Sequence, residues 1–374
     1  MKIGILTFHN AHNYGAVLQA YALKKVLSDR GHEVTIINYQ NVKIKKNYNQ
    51  KLQVNPCRRE IVFPWRWRHL WRRYLENKYA QACWEVQWKK FEEFISEVLL
   101  DQDTKIIEED QISKSGYDAI ICGSDQIWNR DLTGGLDKVY YLDFQTDACK
   151  IAYAVSVKNL NSNAAEFNYM KKCLQQFQDI STREELFAKK LTGILNREVK
   201  AVLDPTLLLE SHDYHCLEQK APVGKDYVFA YFVHEDSKLQ ALVKKLAVML
   251  GMEFIELHYY FRKWMDRHTQ RADLGPGEFL HYMRNARYVV TNSFHGTAFS
   301  IIYNKQFYSV YDEDMRKNEL LKKLDLQKRH IKDVSQVNIK EEIDYGKVNY
   351  KLQLLKDESF KYLDNSLAKQ KKGS

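Results

Sequence analysis

The sequence lacks any arrangement of cysteines that would hold a metal or a disulfide framework. Its six cysteines are scattered, with neither a CxxC pair nor a Cys/His cluster, which argues against a zinc site and a disulfide-rich fold. No window approaches the roughly 18 apolar residues of a membrane span. The amino terminus, MKIGILTFHN, has an apolar run too short for a signal peptide and predicts a buried first strand. We therefore expect a cytoplasmic protein with free thiols and no metal.

The chain has 374 residues, of which 45% are hydrophobic, and a formal net charge of +9. This length exceeds what one hydrophobic core usually supports, so two domains are expected. The positive charge implies acidic partners, which could be anionic substrates, an anionic membrane surface or nucleic acid. Charge alone does not choose among these three.

Apolar periodicity predicts two α/β units in tandem. Residues 3–8 and 34–37 are predicted strands on either side of a helix that Gly31 ends. A second alternating series begins near residue 226 and includes a strand at residues 288–291. We therefore expect an α/β fold with two Rossmann-like, doubly wound domains that face a shared cleft. The predicted limits are residues 1–210 for the amino-terminal domain, 222–335 for the carboxy-terminal domain and 336–374 for a tail.

A polar loop follows the first predicted strand. The segment HNAHNYGA places Asn13, Tyr14 and Gly15 at the carboxyl end of that strand, where open parallel sheets bind ligands. These three residues are therefore candidates to line the cleft.

The segment RYVVTNSFHGTAFS, residues 287–300, runs from an apolar strand through a polar turn into a helix of small residues. Free backbone N–H groups at such a helix start, at the positive end of its dipole, favour a phosphate or carboxylate. His295 adds a group that can hold or transfer a proton near neutral pH. The segment predicts a site for an anionic substrate undergoing proton transfer. A tight turn in which His295 only caps the helix fits equally well.

Along most of residues 1–311 the chain carries, in this order, the segments TFHNAHNYGAVLQAYAL, YDAIICGSDQIWN, IAYAVSV, ISTREE, VLDPTLLL and VVTNSFHGTAFSIIYNKQF. In content and order, these segments resemble the polysaccharide pyruvyl transferase family. The resemblance implies a two-domain fold of the GT-B type. It also implies a reaction that moves the enolpyruvyl carbons of phosphoenolpyruvate onto two hydroxyls of a sugar, giving a pyruvate ketal and phosphate. The implied partners are phosphoenolpyruvate as donor substrate and a sugar of a surface polysaccharide or of its lipid-linked precursor, without a further cofactor and without nucleic acid.

The resemblance also implies roles for single residues. Phosphoenolpyruvate carries a phosphate and a carboxylate, so its site needs fixed cationic donors. The resemblance puts a donor-binding arginine at Arg183 in ISTREE, for which the alternative is an ion pair with Glu184 or Glu185. It makes His295 the group that handles a proton. The residues expected to bind phosphate oxygens, unless they only form the turn, are Asn292, Ser293, Gly296 and Thr297.

Two further segments carry polar residues after predicted strands. In GSDQIWN, Asp125 and Gln126 could orient sugar hydroxyls, with Asp125 as a base. Alternatively, Ser124 and Asp125 cap a helix that begins near Gln126. In VLDPTLLL, Asp204 is expected to end a strand in a turn rather than to take part in catalysis.

Residues 57–94 contain five of the seven tryptophans together with several arginines. Such a mixture suits a membrane interface or a glycolipid acceptor, so peripheral association with the inner face of a membrane is one interpretation. The other is an amphipathic helical pair that packs its tryptophans on the first domain and exposes its arginines.

Two other functions are compatible with these patterns. A nucleotide-sugar glycosyltransferase of the GT-B type ranks second, because no acidic residue stands at a convincing place for recognising ribose in the second domain. A non-catalytic protein that binds anionic glycolipid or nucleic acid is the third interpretation. Tryptophans interleaved with arginines could stack bases, but no nucleic-acid-binding signature is found.

Overall fold

The computed structural model describes residues 1–48, 67–101, 104–156, 164–222, 226–233, 237–257, 270–310 and 315–369. Within these residues the chain forms two parallel β-sheets of six strands each. The helices connect successive strands, as a parallel sheet requires. The predicted α/β class with two doubly wound sheets is confirmed.

The amino-terminal half of the chain supplies the first sheet. Its strands are β1 (Lys2–Leu6), β2 (Glu33–Ile36), β3 (Ala119–Cys122), β4 (Cys149–Val155), β5 (Asp179–Thr182) and β6 (Lys200–Ala201). Their order is β2-β1-β3-β4-β5-β6, with parallel pairing throughout. Almost every residue of β1, β3 and β4 is buried, which is typical of strands covered on both faces. The order reverses direction between β1 and β3, and ligands bind at such a switch point.

The second sheet follows in the chain. Its strands are β7 (Tyr227–Tyr231), β8 (Glu253–Leu257), β9 (Gln270–Arg271), β10 (Tyr288–Thr291), β11 (Gln306–Val310) and β12 (His330–Ile331). Their order is β12-β11-β10-β7-β8-β9, again with parallel pairing. The series predicted from the sequence ends at β10, and it misses β9, β11 and β12.

The described residues contain twelve α-helices. They are α1 (Tyr14–Ser28), α2 (Val42–Tyr48), α3 (Trp67–Phe94), α4 (Glu109–Ser113), α5 (Arg130–Thr133), α6 (Ala164–Gln175), α7 (Glu185–Leu195), α8 (Ser237–Leu250), α9 (Pro276–Asn285), α10 (Phe294–Ile302), α11 (Met315–Lys323) and α12 (Tyr345–Ala368). A π-helical turn, Ile95–Leu99, continues α3. Short 3₁₀ helices include Pro205–Leu208 and Ser211–Leu217. None of the described helices combines the length and the apolar character that crossing a membrane requires.

One hydrophobic cluster joins the two sheets. It contains Ile5 and Val17 from the amino-terminal unit, Phe279 and Phe299 from the second unit, and Leu363 from α12. The two units therefore share buried apolar surface, which ties them together more strongly than a linker would.

The predicted tail, residues 336–374, consists mostly of α12, which returns to the first sheet. The backbone N–H of Leu203 donates to Ser359 Oγ over 3.0 Å. Arg30 Nε lies 3.1 Å from Asp364 Oδ1. The end of the described chain thus completes the amino-terminal unit.

We predict that Leu363→Ala lowers the free energy of unfolding by about 2–5 kcal/mol, because it leaves a cavity in the shared core. Leu363 has no exposed surface, whereas Leu354, on the same helix, is 48% exposed. The control Leu354→Ala removes the same atoms and should cost less than about 1 kcal/mol. Urea unfolding of both variants measures the difference, and equal losses would contradict the docking of α12.

Candidate functional site

An irregularity in β4 shapes the floor of the site. The pairing between β4 and β5 shifts register between Ala152 and Val155, and Ala154 has a φ of 50°, in the left-handed region that is costly for a residue with a side chain. The Ala154 carbonyl accepts hydrogen bonds from Arg183 Nε and Ser124 Oγ, each over 3.2 Å. The strained end of the strand therefore holds the Arg183 side chain in place.

Arg183 forms a buried ion pair with Asp204. Its Nη2 lies 2.8 Å from Asp204 Oδ2, and the two side chains are 2% and 0% exposed. Its Nε also donates to Ser124 Oγ over 3.0 Å. Its Nη1 is buried and has no hydrogen-bond partner among the described residues. Arg183 therefore pairs with Asp204 instead of forming the alternative ion pair with Glu184 or Glu185.

Asp204 connects Arg183 to His295. His295 Nε2 lies 3.6 Å from the same Oδ2, and Asp204 Oδ1 accepts hydrogen bonds from the Thr206 N–H (2.9 Å) and hydroxyl (2.6 Å). Burial opposes the ionisation of Asp204, but the charge of Arg183 and the proximity of His295 outweigh it and lower the pKa of this carboxyl group. Asp204 makes the predicted turn as the cap of the 3₁₀ helix Pro205–Leu208, although β6 already ends at Ala201. As an anion at neutral pH, it also brings two predicted site residues together.

Glu184 is a second buried carboxyl group beside Arg183, and sequence analysis gave it no chemical role. Its Oε1 accepts a hydrogen bond from Ser156 Oγ over 2.5 Å. Its Oε2 is buried without a hydrogen-bond partner in the described part of the chain. Burial raises the pKa of Glu184 to about 7, although Ser156 and the nearby arginines act in the opposite direction. Glu184 can therefore carry a proton near neutral pH; its only signal in the sequence is its place after Arg183.

Two arginines, one from each unit, approach the ring of Phe294, the first residue of α10. The guanidinium carbons of Arg183 and Arg316 each lie 5.5 Å from the ring centroid, within the range of cation–π attraction. Arg316 is in the first turn of α11 and is half-buried. The sequence motifs do not include Arg316, because it reaches the site from a separate helix.

Of the residues predicted to bind phosphate, Asn292 and Ser293 precede α10, whereas Gly296 and Thr297 lie within its first turn. Ser293 Oγ accepts a backbone N–H and caps the helix. Asn292 Oδ1 accepts the Val233 N–H over 2.8 Å. The Thr297 hydroxyl, which is fully buried, bonds to the Ser293 carbonyl and to Ser309 Oγ. Ser293 therefore acts as a local cap, whereas Asn292 and Thr297 also bond to other segments of the second unit, and Thr297 presents no exposed atom to a substrate.

Two glycines allow close contacts around His295. A Cβ on Gly296 would lie 2.3 Å from Thr291 Oγ1, so a larger residue would push α10 away from β10. A Cβ on Gly15 would lie 2.0 Å from His295 Nδ1. The start of α1 in the first unit therefore touches the imidazole ring of the second unit, and only glycine leaves room for this contact.

The other two residues predicted near the start of α1 are engaged in structure. Asn13 Oδ1 accepts the Ala16 N–H over 3.2 Å and caps α1. Tyr14 does not line an open cleft, because its side chain is fully buried. Its hydroxyl donates to the Leu274 carbonyl over 2.7 Å and accepts from Gln87 over 3.0 Å. Tyr14 therefore links the two units.

Asp125 and Gln126 lie at the carboxyl end of β3 and are half-buried. Asp125 has a φ of 77° and accepts the Gln126 N–H over 2.7 Å. The Gln126 side chain accepts from Asn129 over 2.8 Å. Asn129 caps α5, which begins at Arg130, so Ser124 and Asp125 do not cap a helix beginning near Gln126.

The described part of the basic aromatic segment is a single helix. Residues 57–66 of the predicted segment lie outside the described residues, and residues 67–94 form α3 without a break. The expected helical pair is therefore one continuous helix over this range. Its last turns contact the loop between β1 and α1 through Trp88 and Phe91.

The sequence model of the polysaccharide pyruvyl transferase family matches residues 13–314 of the chain. The chain belongs to this family. The matched range includes Arg183, Asp204 and His295, the three residues that meet at the Asp204 carboxylate.

Solved structures with a similar fold include a UDP-GlcNAc 2-epimerase, a glycosyltransferase and the protein UGT2. The UDP-GlcNAc 2-epimerase of Methanocaldococcus jannaschii is 10% identical, with coverage of 94% of this chain and 92% of its own and a TM-score of 0.46. The glycosyltransferase SnogD of Streptomyces nogalater is 9% identical, with coverage of 98% and 97% and a TM-score of 0.41. The UGT2 protein of Phytolacca americana is 12% identical, with coverage of 99% of both chains and a TM-score of 0.43. No curated protein matches the sequence.

We predict that Gly15→Ala destabilises the protein and displaces His295, because the added Cβ overlaps the imidazole ring. The expected loss is about 1–3 kcal/mol, typical of overpacking. Gly193, within α7, has nothing within 4 Å of an added Cβ. The control Gly193→Ala should therefore stabilise the protein by roughly 0.5–1 kcal/mol. Opposite shifts in the urea midpoint are expected, and a neutral Gly15→Ala variant would contradict the described contact.

Proposed function

We propose that this protein transfers pyruvate from phosphoenolpyruvate to two hydroxyls of a sugar in a surface polysaccharide or its lipid-linked precursor. The observation that carries this proposal is the meeting of Arg183, Asp204, Glu184 and His295 where the carboxyl ends of the two sheets come together. Such a site combines fixed positive charge for an anionic donor with two groups that can exchange protons. Membership in the pyruvyl transferase family supports the same reaction.

In the proposed donor site, Arg316 and Arg183 hold the phosphate and carboxylate of phosphoenolpyruvate. Arg183 would use its Nη1, since its other nitrogens are already bonded to Asp204 and Ser124. Arg316 is half-buried and lies against the same ring, Phe294. The amino-terminal end of α10 adds the favourable end of a helix dipole.

The proposed chemistry moves one proton onto carbon and two protons off hydroxyls. A sugar hydroxyl attacks C2 of phosphoenolpyruvate while C3 takes a proton and becomes a methyl group. The second hydroxyl then attacks C2, the bond from C2 to the phosphate oxygen breaks, and the second hydroxyl proton leaves with the phosphate. Glu184 is suited to protonate C3, since a pKa of about 7 leaves a large fraction of this carboxyl group protonated at neutral pH.

His295 is suited to accept the proton of the attacking hydroxyl. The imidazolium that forms would lie 3.6 Å from the anionic Asp204, a distance at which opposite charges attract. Asp125 is the proposed base for the second hydroxyl, with Gln126 beside it.

The test is phosphate release from phosphoenolpyruvate in the presence of methyl hexopyranosides and lipid-linked disaccharides with free hydroxyls. We expect release to depend on the acceptor, with a new methyl signal of the ketal in the proton NMR spectrum. His295→Asn should lower kcat by about 10²–10⁴-fold. Arg316→Ala should raise the KM for phosphoenolpyruvate by roughly tenfold or more, because a charge-assisted contact is lost.

Two controls separate these effects from general damage. His212→Ala and Arg284→Ala replace side chains that are 73% and 42% exposed and should leave both constants unchanged. Arg183 is unsuitable as the main test, because removing it would leave Asp204 buried without a counter-ion and unfold the protein. No release with any acceptor, combined with thermal stabilisation by a nucleotide sugar, would favour the glycosyltransferase alternative.

The pH dependence tests the role of Glu184. A general acid must be protonated to act, so kcat/KM of the wild type should fall as pH rises above about 7, the pKa of Glu184. Glu184→Gln should be slower by about 10²–10⁴-fold and should lose this fall. A pH–rate profile measured from pH 5 to pH 9 compares the two proteins. A Glu184→Gln variant that kept the same fall would assign the proton to another group.

A further inference from the structure

Trp84 and Trp88 leave aromatic surface open on α3. They are one helical turn apart, with ring centroids 4.9 Å apart, and both are half-buried. On the same helix, Phe91 is completely buried. Large aromatic rings are normally buried when the neighbouring surface allows it, and half-open pairs beside a cleft are typical of binding sites.

A preorganised carboxylate stands one turn beyond this pair. Glu92 Oε1 lies 2.7 Å from His12 Nε2, and the Glu92 side chain is 53% exposed whereas His12 is almost fully buried. The hydrogen bond from His12 lowers the pKa of Glu92. Glu92 is therefore an anion that the buried His12 holds in one orientation, while the rest of its side chain is open to solvent. A fixed carboxylate is a strong acceptor for hydroxyl donors.

These groups adjoin the candidate site. The His12 ring contacts Trp88, with centroids 4.1 Å apart, and His12 precedes by three residues Gly15, which packs against His295. Three residues span at most about 11 Å, so His12 lies within that distance of the glycine that contacts His295. Lys90, on the same helix, forms an ion pair with Glu278 of the second unit over 2.6 Å, which fixes α3 across the two units.

We propose that Trp84, Trp88 and Glu92 form a subsite for a neutral pyranose of the acceptor, with His12 as the positioning residue of Glu92. The C–H face of a pyranose carries partial positive charge and fits the negative face of an indole ring, while its hydroxyls donate to the carboxylate. An anionic ligand such as phosphoenolpyruvate is disfavoured here by the charge of Glu92. This inference rests on the proposed function for the identity of the sugar as an acceptor.

The test combines binding and kinetics in the full-length protein. Intrinsic tryptophan fluorescence is titrated with methyl β-D-glucopyranoside and methyl β-D-galactopyranoside, and the same sugars are used as acceptors in the phosphate-release assay. We expect Trp84→Ala, Trp88→Ala and Glu92→Gln each to weaken sugar binding and raise the acceptor KM by roughly tenfold. The KM for phosphoenolpyruvate should not change. Val86→Ala, on the same helix at a side chain that is 44% exposed, is the matched control.

The outcomes separate this proposal from the proposed function. Sugar binding that is lost in the three variants while the wild type never consumes phosphoenolpyruvate would support the subsite and reject the pyruvyl transfer. Pyruvyl transfer with an unchanged acceptor KM in Glu92→Gln, which preserves the size of the side chain, would overturn the subsite alone. Loss of binding to anionic lipid vesicles in the tryptophan variants, with sugar binding intact, would also overturn it and assign this face to a membrane.

Discussion

The buried carboxylate of Asp204 is the group on which the geometry of the site depends. Taking an ion out of water costs several kcal/mol in a folded protein unless partners replace the lost solvation. Asp204 offsets this cost through the guanidinium of Arg183 and two hydrogen bonds from Thr206. His295 approaches the same oxygen from the second unit. The Asp204 carboxylate therefore orients the Arg183 side chain and also contacts the start of α10 in the other unit.

Two residues near the carboxyl ends of strands β3 and β4 carry conformational strain close to the Asp204 carboxylate. Ala154 and Asp125 both have φ values in the left-handed region, which costs of order 1–3 kcal/mol for each residue with a side chain. The strain at Ala154 turns its carbonyl toward Arg183 and Ser124. Departures from local rules of this kind concentrate at functional sites, where the surrounding structure holds them in place.

Local patterns in the sequence predict the α/β class, α1 and most central strands, because helical and strand periodicity is a property of neighbouring residues. Motifs also identify Arg183 and His295. That both contact Asp204 could not be predicted, since local chemistry suggests only the turn that Asp204 makes with Thr206. The raised pKa of Glu184 depends on burial by distant elements, and so it appears only in the folded chain. For the same reason, Tyr14 was expected in an open cleft, whereas the second unit covers it.

The docking of α12 on the first sheet separates the order of synthesis from the order of assembly. The strands of the amino-terminal unit are complete by β6, yet the helix that covers part of this unit is made after the whole second sheet. In a growing chain, part of the apolar surface of the first unit therefore stays uncovered until the second unit has been synthesised. Domains otherwise usually fold in the order in which they are made. The two units follow one another in sequence, but the first cannot finish folding before the second has been synthesised.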